Sequence, residues 1–303
     1  MKAPIVLFVY NRPEHTRQTI EALCKADGAA ETELYVYSDG AKPSSKESVE
    51  EVRDIIRNIK GFASISIIER ESNIGLAENI ISGVSEVFKK HEKAIVLEDD
   101  LKVSKYFLTY MNSALEFYKN KGVFSVSGYT PNVNIPKDYP FTTYMINRNC
   151  SWGWGTWREK WEKVDWDVKT FGKFIRNKQQ TKTFDQSGSD LTAMLLRYMT
   201  GEIHSWSIRF CYSAFCLNEP TVYPIHSLID NNGVDGSGTN MKQSLKYNTD
   251  ITDYLDCTKF ADIKNIHPQI LSSFKRTYDC SMLRRAINAL KRVRYIINHP
   301  HKI

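Results

Sequence analysis

KAIVLEDDLKVS, residues Lys93–Ser104, sets a short apolar run against three consecutive carboxylates, Glu98, Asp99 and Asp100, with no lysine or arginine among them. A run of this kind, rich in β-branched residues, predicts a strand buried on both faces of a parallel sheet. The acids then sit at its carboxyl end, the edge along which open α/β sheets bind ligands. Clustered carboxylates repel one another unless a cation or donor groups neutralise them. Hard oxygen ligands suit magnesium or manganese, which in turn grip phosphate oxygens. The alternative is three solvated acids in a strand-to-helix turn that also cap the next helix. Ordinary turns more often carry Gly, Asn or Ser, so the metal reading is preferred.

Working back from this stretch, Ala3–Tyr10 reads as strand one, and Arg12–Lys25 has helical spacing at Thr16, Ile20 and Leu23 with Pro13 near its start. Glu33–Ser38 is a second strand that ends in a turn at Asp39 and Gly40. Ser45–Ile59 is a helix with Val49, Val52, Ile55 and Ile56 as its stripe, Ile65–Glu69 a third strand, and Asn73–Phe88 a helix entered through a loop with Gly75. Strands alternating with helices in this way predict an α/β fold with a doubly wound, mostly parallel sheet and flanking helices. Right-handed crossovers would bring Asn11, Asp39, Asn73 and Asp99 to one rim.

Forward of the acids, Lys105–Lys119 predicts an amphipathic helix with Tyr106, Phe107, Tyr110 and Phe117 inside, and Gly122–Gly128 another strand. Cys150–Trp166, CSWGWGTWREKWEKVDW, holds five of the six tryptophans. Gly153 and Gly155 would let the backbone approach a ligand, and tryptophan faces make sugar or base platforms. Trp157 and Trp161, four apart, are read instead as the core face of the next helix. Asn177–Ser189 reads as a polar, mobile connector, Asp190–Gly201 as a helix with an aspartate cap and a glycine stop, and Glu202–Leu217 as helical over much of its length. TVYPIHSLIDNNGVDGSGTN, from Thr221, reads as a short strand and a glycine-rich loop, either a cover over substrate or a surface connector. From Lys275 a helical C-terminal extension interleaves basic and apolar residues, either to lie on anionic lipid or to pack with a solvated basic face.

With 303 residues the chain can build one large α/β domain or a domain with an appendage. Its net charge of +6 permits anionic partners, but with no nucleic-acid motif no nucleic acid is expected. The apolar run before Asn11 is too short for a signal peptide or a membrane span, and no later stretch approaches roughly twenty apolar residues. Six scattered cysteines without a CxxC point to reduced thiols in a cytosol.

PIVLFVYNR, YSDG, NIGLAENI and above all AIVLEDDLKVSKYFLTYM resemble the corresponding segments of GT-A fold glycosyltransferases. The nearest resemblance is to the N-acetylglucosaminyltransferase I type with its EDD triplet, and SWGWGTW is similar to the acceptor-side segment of such enzymes. The match is good through about residue 160 and loose to Asn240. The resemblance implies a GT-A type domain over 1–245, with a nucleotide-sugar-binding half at 1–128 and an acceptor-side half at 129–245, followed by a basic helical tail at 246–303. It implies that Arg12 contacts the nucleotide diphosphate, Asp39 the base, and Glu98 and Asp99 the donor sugar and ribose, with Tyr10 and Asn73 completing the donor pocket. Asp100 would ligate Mn2+ or Mg2+, and Trp152, Trp154, Trp206 and Arg209 would face the acceptor.

The implied reaction is an inverting single displacement in which an acceptor hydroxyl attacks the anomeric carbon and a carboxylate takes its proton. Asp190, opening a helix like the base-bearing helix of bacterial inverting transferases, is the chosen base. Glu202 and His204 are the alternatives by distance from YPIHSL, and a plain helix cap is the structural reading of Asp190. The expected enzyme moves a sugar from a nucleotide-sugar, a UDP-sugar by preference, to a saccharide or lipid-linked saccharide in surface glycan synthesis. It would be cytoplasmic and peripheral on the inner face of the membrane through its basic tail. A sugar nucleotidyltransferase would be expected to carry a glycine-rich phosphate loop, which NRPEHTRQ lacks. A non-catalytic sugar or nucleotide-binding module is the reading from another class.

Overall fold

In the computed structural model, residues 2–235, 249–262 and 266–300 are described. β1 (Ile5–Val9) is buried along its whole length, and Pro13 opens α1 (Pro13–Cys24), where a missing N–H costs nothing. β2 (Glu33–Ser38), α2 (Lys46–Arg57), β3 (Ser64–Glu69), α3 (Leu76–Phe88) and β4 (Lys93–Glu98) continue the alternation. β1 pairs in parallel with both β2 and β4, Val9 opposite Ser38 and Phe8 opposite Glu98. Tyr10, Asp39 and Asp99 therefore leave the sheet at one level, along the rim expected from the sequence.

The second half completes the sheet in a different manner. β5 (Leu101–Val103) leaves the main sheet, and α4 (Phe107–Phe117) leads to β6 (Ser125–Ser127), β7 (Thr143–Ile146) and β8 (Trp154–Trp157). Then come α5 (Arg158–Trp161), α6 (Phe171–Arg176), α7 (Lys178–Phe184), α8 (Leu191–Met199) and α9 (Trp206–Leu217). β9 (Thr221–Pro224), β10 (Ile229–Asn231), α10 (Pro268–Tyr278) and α11 (Met282–Asn298) close the chain. The eight-stranded sheet runs β3-β2-β1-β4-β8-β6-β9-β7, and β5 pairs with β10 in a separate two-stranded ribbon. β8 is antiparallel to both β4 and β6, so the sheet is parallel on one side and mixed on the other. This is the GT-A type architecture.

Trp154–Trp157 of the SWGWGTW segment is thus a core strand where glycines and tryptophan faces open to a ligand were expected. A Cβ on Gly155 would stand 3.1 Å from the Ala94 carbonyl, from Leu115 and from Met111, and one on Gly153, at φ +58°, would stand 2.6 Å from Ile229. These glycines admit neighbouring chain and side chains of the protein itself. Gly155→Val is expected to cost about 1–3 kcal/mol by overpacking. Urea denaturation checks this, and an unchanged midpoint would show that the strand has room to spare.

Other expectations shift as well. Residues 177–189 form α7 and a following turn instead of a mobile connector: Asn177 caps α7 by accepting from the N–H groups of Gln179 and Gln180, and Phe184 packs among Phe174, Tyr212 and Phe215. On α4, Phe107 and Tyr110 are buried as expected, but Tyr106 is half-buried and Phe117 exposed; Leu108, Met111, Ala114 and Leu115 supply the rest of the face. Ile270 and Phe274 of α10 pack on Tyr144, Ile146 and Tyr223, which ties the start of the expected tail to the sheet. The glycine-rich loop beyond Asp235 lies outside the described residues. Among the described residues no helix is long and apolar enough to cross a membrane.

Candidate active site

The acidic triplet is assembled by three elements. From the end of β1, the Tyr10 N–H donates to Asp99 Oδ2 at 3.2 Å, and Arg12 reaches across to contact both Asp99 Oδ1 and Asp100 Oδ2, the latter at 2.9 Å. From α1, Thr19 Oγ1 donates to the Asp99 peptide oxygen at 2.8 Å. From the turn after β10, the Asn232 N–H donates to the Asp100 peptide oxygen at 2.9 Å. Gly233 lies against the same carboxylate: a Cβ there would be 2.0 Å from Asp100 Oδ2, so only glycine leaves that oxygen its space.

The electrostatics follow from the crowding. Burial, then the charges of Asp100 and Asp99, push the Glu98 carboxyl up to about 8, with Arg12 opposing. Burial also raises Asp99, against the pull of Arg12. Burial disfavours charge on Arg12, yet the two aspartates outweigh it and hold the guanidinium protonated above its ordinary range. One arginine among three carboxylates leaves an excess of negative charge that a further cation would relieve.

Asp39 and Asn73 meet, as expected, but the bonds between them are internal. Asp39 accepts from Asn73 Nδ2 at 2.9 Å and from the N–H groups of Gly40, Ile74 and Gly75 at 2.9 to 3.0 Å. The carboxylate is buried and fixes the loop between β3 and α3. Gly40 is required because a Cβ would stand 2.1 Å from the Ser72 carbonyl carbon.

Asp190 is held otherwise than a capping residue would be. Its side chain makes no cap bond; Asp185 instead accepts the Thr192 N–H at 2.8 Å. Both Asp190 oxygens face Arg148, at 2.7 and 2.9 Å, and Arg148 lies over the Tyr278 ring at 3.9 Å. Burial pushes the neighbouring Cys150 thiol up to about 12, and the charges acting on it include both Arg148 and Glu98. Glu202, beyond the other end of α8, is exposed and paired with Lys291 and Arg197, and His204 is exposed beside it.

The expected acceptor side separates. Trp152 is half-buried and packs edge-on to Tyr129. Trp154 and Trp206 are interior, 1% and 4% exposed, with their rings stacked 5.0 Å apart. Arg209 is buried between Trp166 and Tyr198. No acceptor can reach these three unless the core opens, so they are corrected to structural residues. Missed by sequence reasoning were Thr19, Arg148 and the Asn231–Gly233 turn. Only the NNG run, with its turn chemistry, carried a local signal.

Among the described residues no group of three or more His, Cys, Asp or Glu side chains is arranged to hold a metal. A divalent ion bound with a diphosphate needs fewer protein ligands, since phosphate oxygens and water supply the rest. The hard carboxylate oxygens of Asp100, one of them held by Arg12 and packed against Gly233, are of the type that donor set calls for.

A family model described as glycosyl transferase family 2 matches residues 5–190, more than half of the chain. Comparison with the curated proteins gives no match. Among solved structures, the mannosyltransferase PcManGT from Pyrobaculum calidifontis, in complex with GDP-Man and Mn2+, is 12% identical with a TM-score of 0.37, over 55% of this chain and 47% of that one. S. aureus TarS 1–349 is 13% identical with a TM-score of 0.44, over 76% of this chain and 60% of that one. The same TarS fragment in complex with UDP is 17% identical with a TM-score of 0.34, over 48% and 40%. The chain therefore covers less than two thirds of each of these proteins.

Proposed function

The chain belongs to glycosyl transferase family 2, and from that premise we propose that it transfers a sugar, with inversion, from a UDP-sugar to a saccharide or lipid-linked saccharide hydroxyl. The observation that carries this reading is the Arg12–Asp99–Asp100 arrangement at the carboxyl rim of the parallel strands. A guanidinium there can turn toward a diphosphate while Asp99, anchored by Tyr10 and Thr19, keeps its place. Asp100 would hold Mn2+ or Mg2+, and such an ion when bound supplies positive charge to the departing diphosphate. Glu98 and Asp99 would hold donor sugar and ribose. Asp39 would set the base-binding loop through Asn73 and Gly75.

Asp190 is the base in this reading. Its release from capping duty and its bidentate tether to Arg148 support a positioned carboxylate, aimed by a buried cation, which takes the proton of the attacking hydroxyl. Glycan synthesis at the cytoplasmic face of a membrane is the setting proposed for it.

The test is to titrate UDP with and without manganese by calorimetry and to follow hydrolysis of a panel of UDP-sugars, alone and with saccharide acceptors. Manganese-dependent binding with turnover of one donor is expected. Asp190→Asn should lower transfer by about 10²–10⁴-fold while UDP binding is kept. Full transfer by that variant would move the base elsewhere, and no UDP binding at any manganese concentration would overturn the donor assignment.

A further inference from the structure

α11 is built inside out. Its protein-facing side is largely polar: Arg292 Nε donates to the Ile175 carbonyl at 2.8 Å, Lys291 pairs with Glu202 at 3.2 Å and Arg285 with Asp279 at 2.7 Å. Tyr295 is the buried side chain on that side, packed against Phe171. The solvent side is largely apolar. Leu283, Leu290 and Ile297 are 73%, 71% and 68% exposed, and with Ile287 they recur at i, i+4, i+7 and i+14 along one stripe. At 1.5 Å per residue the helix offers about 25 Å of such surface. Ser281 caps it by accepting the Arg284 N–H, so the helix is specified by its own sequence.

Charge decides what covers the stripe. From Cys280 to the last residue the sequence holds no acidic side chain. The ion pairs of α11 among the described residues are those of Arg285 and Lys291, which leaves Arg284 and Arg294 exposed, Arg294 within the row itself at i+11, where its long side chain can reach outward to a headgroup. Two copies of this helix laid antiparallel would set Arg284 of one against Arg294 of the other with no carboxylate between them. A surface of anionic lipid answers both features at once, burying the leucines and facing the arginines with phosphate.

We infer that α11 is an interfacial helix that lays the Leu283–Leu290–Ile297 stripe into an anionic lipid surface, with Arg284 and Arg294 at the phosphates. The inference goes beyond the reaction and is tested without it. The full chain is floated with phosphatidylcholine vesicles, with or without about a third phosphatidylglycerol. Binding to the anionic vesicles should be at least about tenfold stronger than to the neutral ones. It should fall at least about tenfold in Leu283→Glu/Leu290→Glu, and about tenfold in Arg284→Gln/Arg294→Gln. Far-UV circular dichroism confirms that both variants are folded. Equal binding to neutral vesicles, or binding unmoved by the Glu pair, would overturn the inference. So would failure to bind together with a dimer, in sedimentation velocity, that the Glu pair dissociates; a second copy would then cover the stripe.

Discussion

Asp100→Asn should leave a folded protein whose sugar transfer falls by at least about a thousandfold, with the manganese dependence of UDP binding lost. The fold is spared because the Asp100 contact that braces the main chain is its peptide oxygen, which accepts from Asn232 and is untouched by the change. Arg12 keeps its second partner, Asp99, so no buried guanidinium is stranded. What goes is the anionic oxygen beside Gly233, the one proposed to hold the divalent ion, and charge stabilisation of a leaving diphosphate is worth several kcal/mol. At about 1.4 kcal/mol per factor of ten, that is three or more orders of magnitude in rate. Steady-state kinetics on the accepted UDP-sugar, with calorimetry of UDP and manganese, decides the matter. Transfer within tenfold of the parent would remove Asp100 from the metal site.

The other large effect is structural. Trp154→Ala should destabilise the protein by about 3–5 kcal/mol, the range for deleting a large buried aromatic. Trp154 stacks on Trp206 at 5.0 Å and on Trp161 at 5.9 Å, touches Phe210, and sits in β8 opposite Val96 of β4, two residues before the acids. Its loss would loosen the strand that positions them. Trp152→Ala, at a half-buried position, should cost far less. Urea denaturation of both variants gives the comparison. Were Trp154→Ala as stable as the parent and impaired only in acceptor KM, its face would have to be open to ligand after all.

What could be read from the chain in advance follows from how local the causes are. Ile5–Val9 and Ala94–Leu97 are buried on both faces, and a run of that kind declares itself without reference to any partner. The acids at its end and the Asp39–Asn73 meeting follow from the alternation. β8 was hidden because the reason for its glycine, Gly155, is the Ala94 carbonyl, a contact far away in sequence. The three-residue strands β5 and β10 are too short for a period, and each is defined by the other. α7 was obscured by Lys178, Gln179, Gln180 and Lys182, which face water, while Thr181 and Phe184 turn inward. Asp190 looked like a cap because its position is that of a cap, and only the arrival of Arg148 and Asp185 in space shows otherwise.

The bond from Asn232 to the Asp100 peptide has a consequence for biogenesis. While the ribosome is still making the second half, the parallel strands β1 to β4 already have their mutual partners, yet the brace and the glycine that shape the Asp100 carboxylate have not been synthesised. A nascent chain can thus pair these strands and still lack the finished surroundings of Asp100. A chain ending before Asn232 would lack both the N–H that braces the Asp100 peptide oxygen and the glycine packed against its carboxylate.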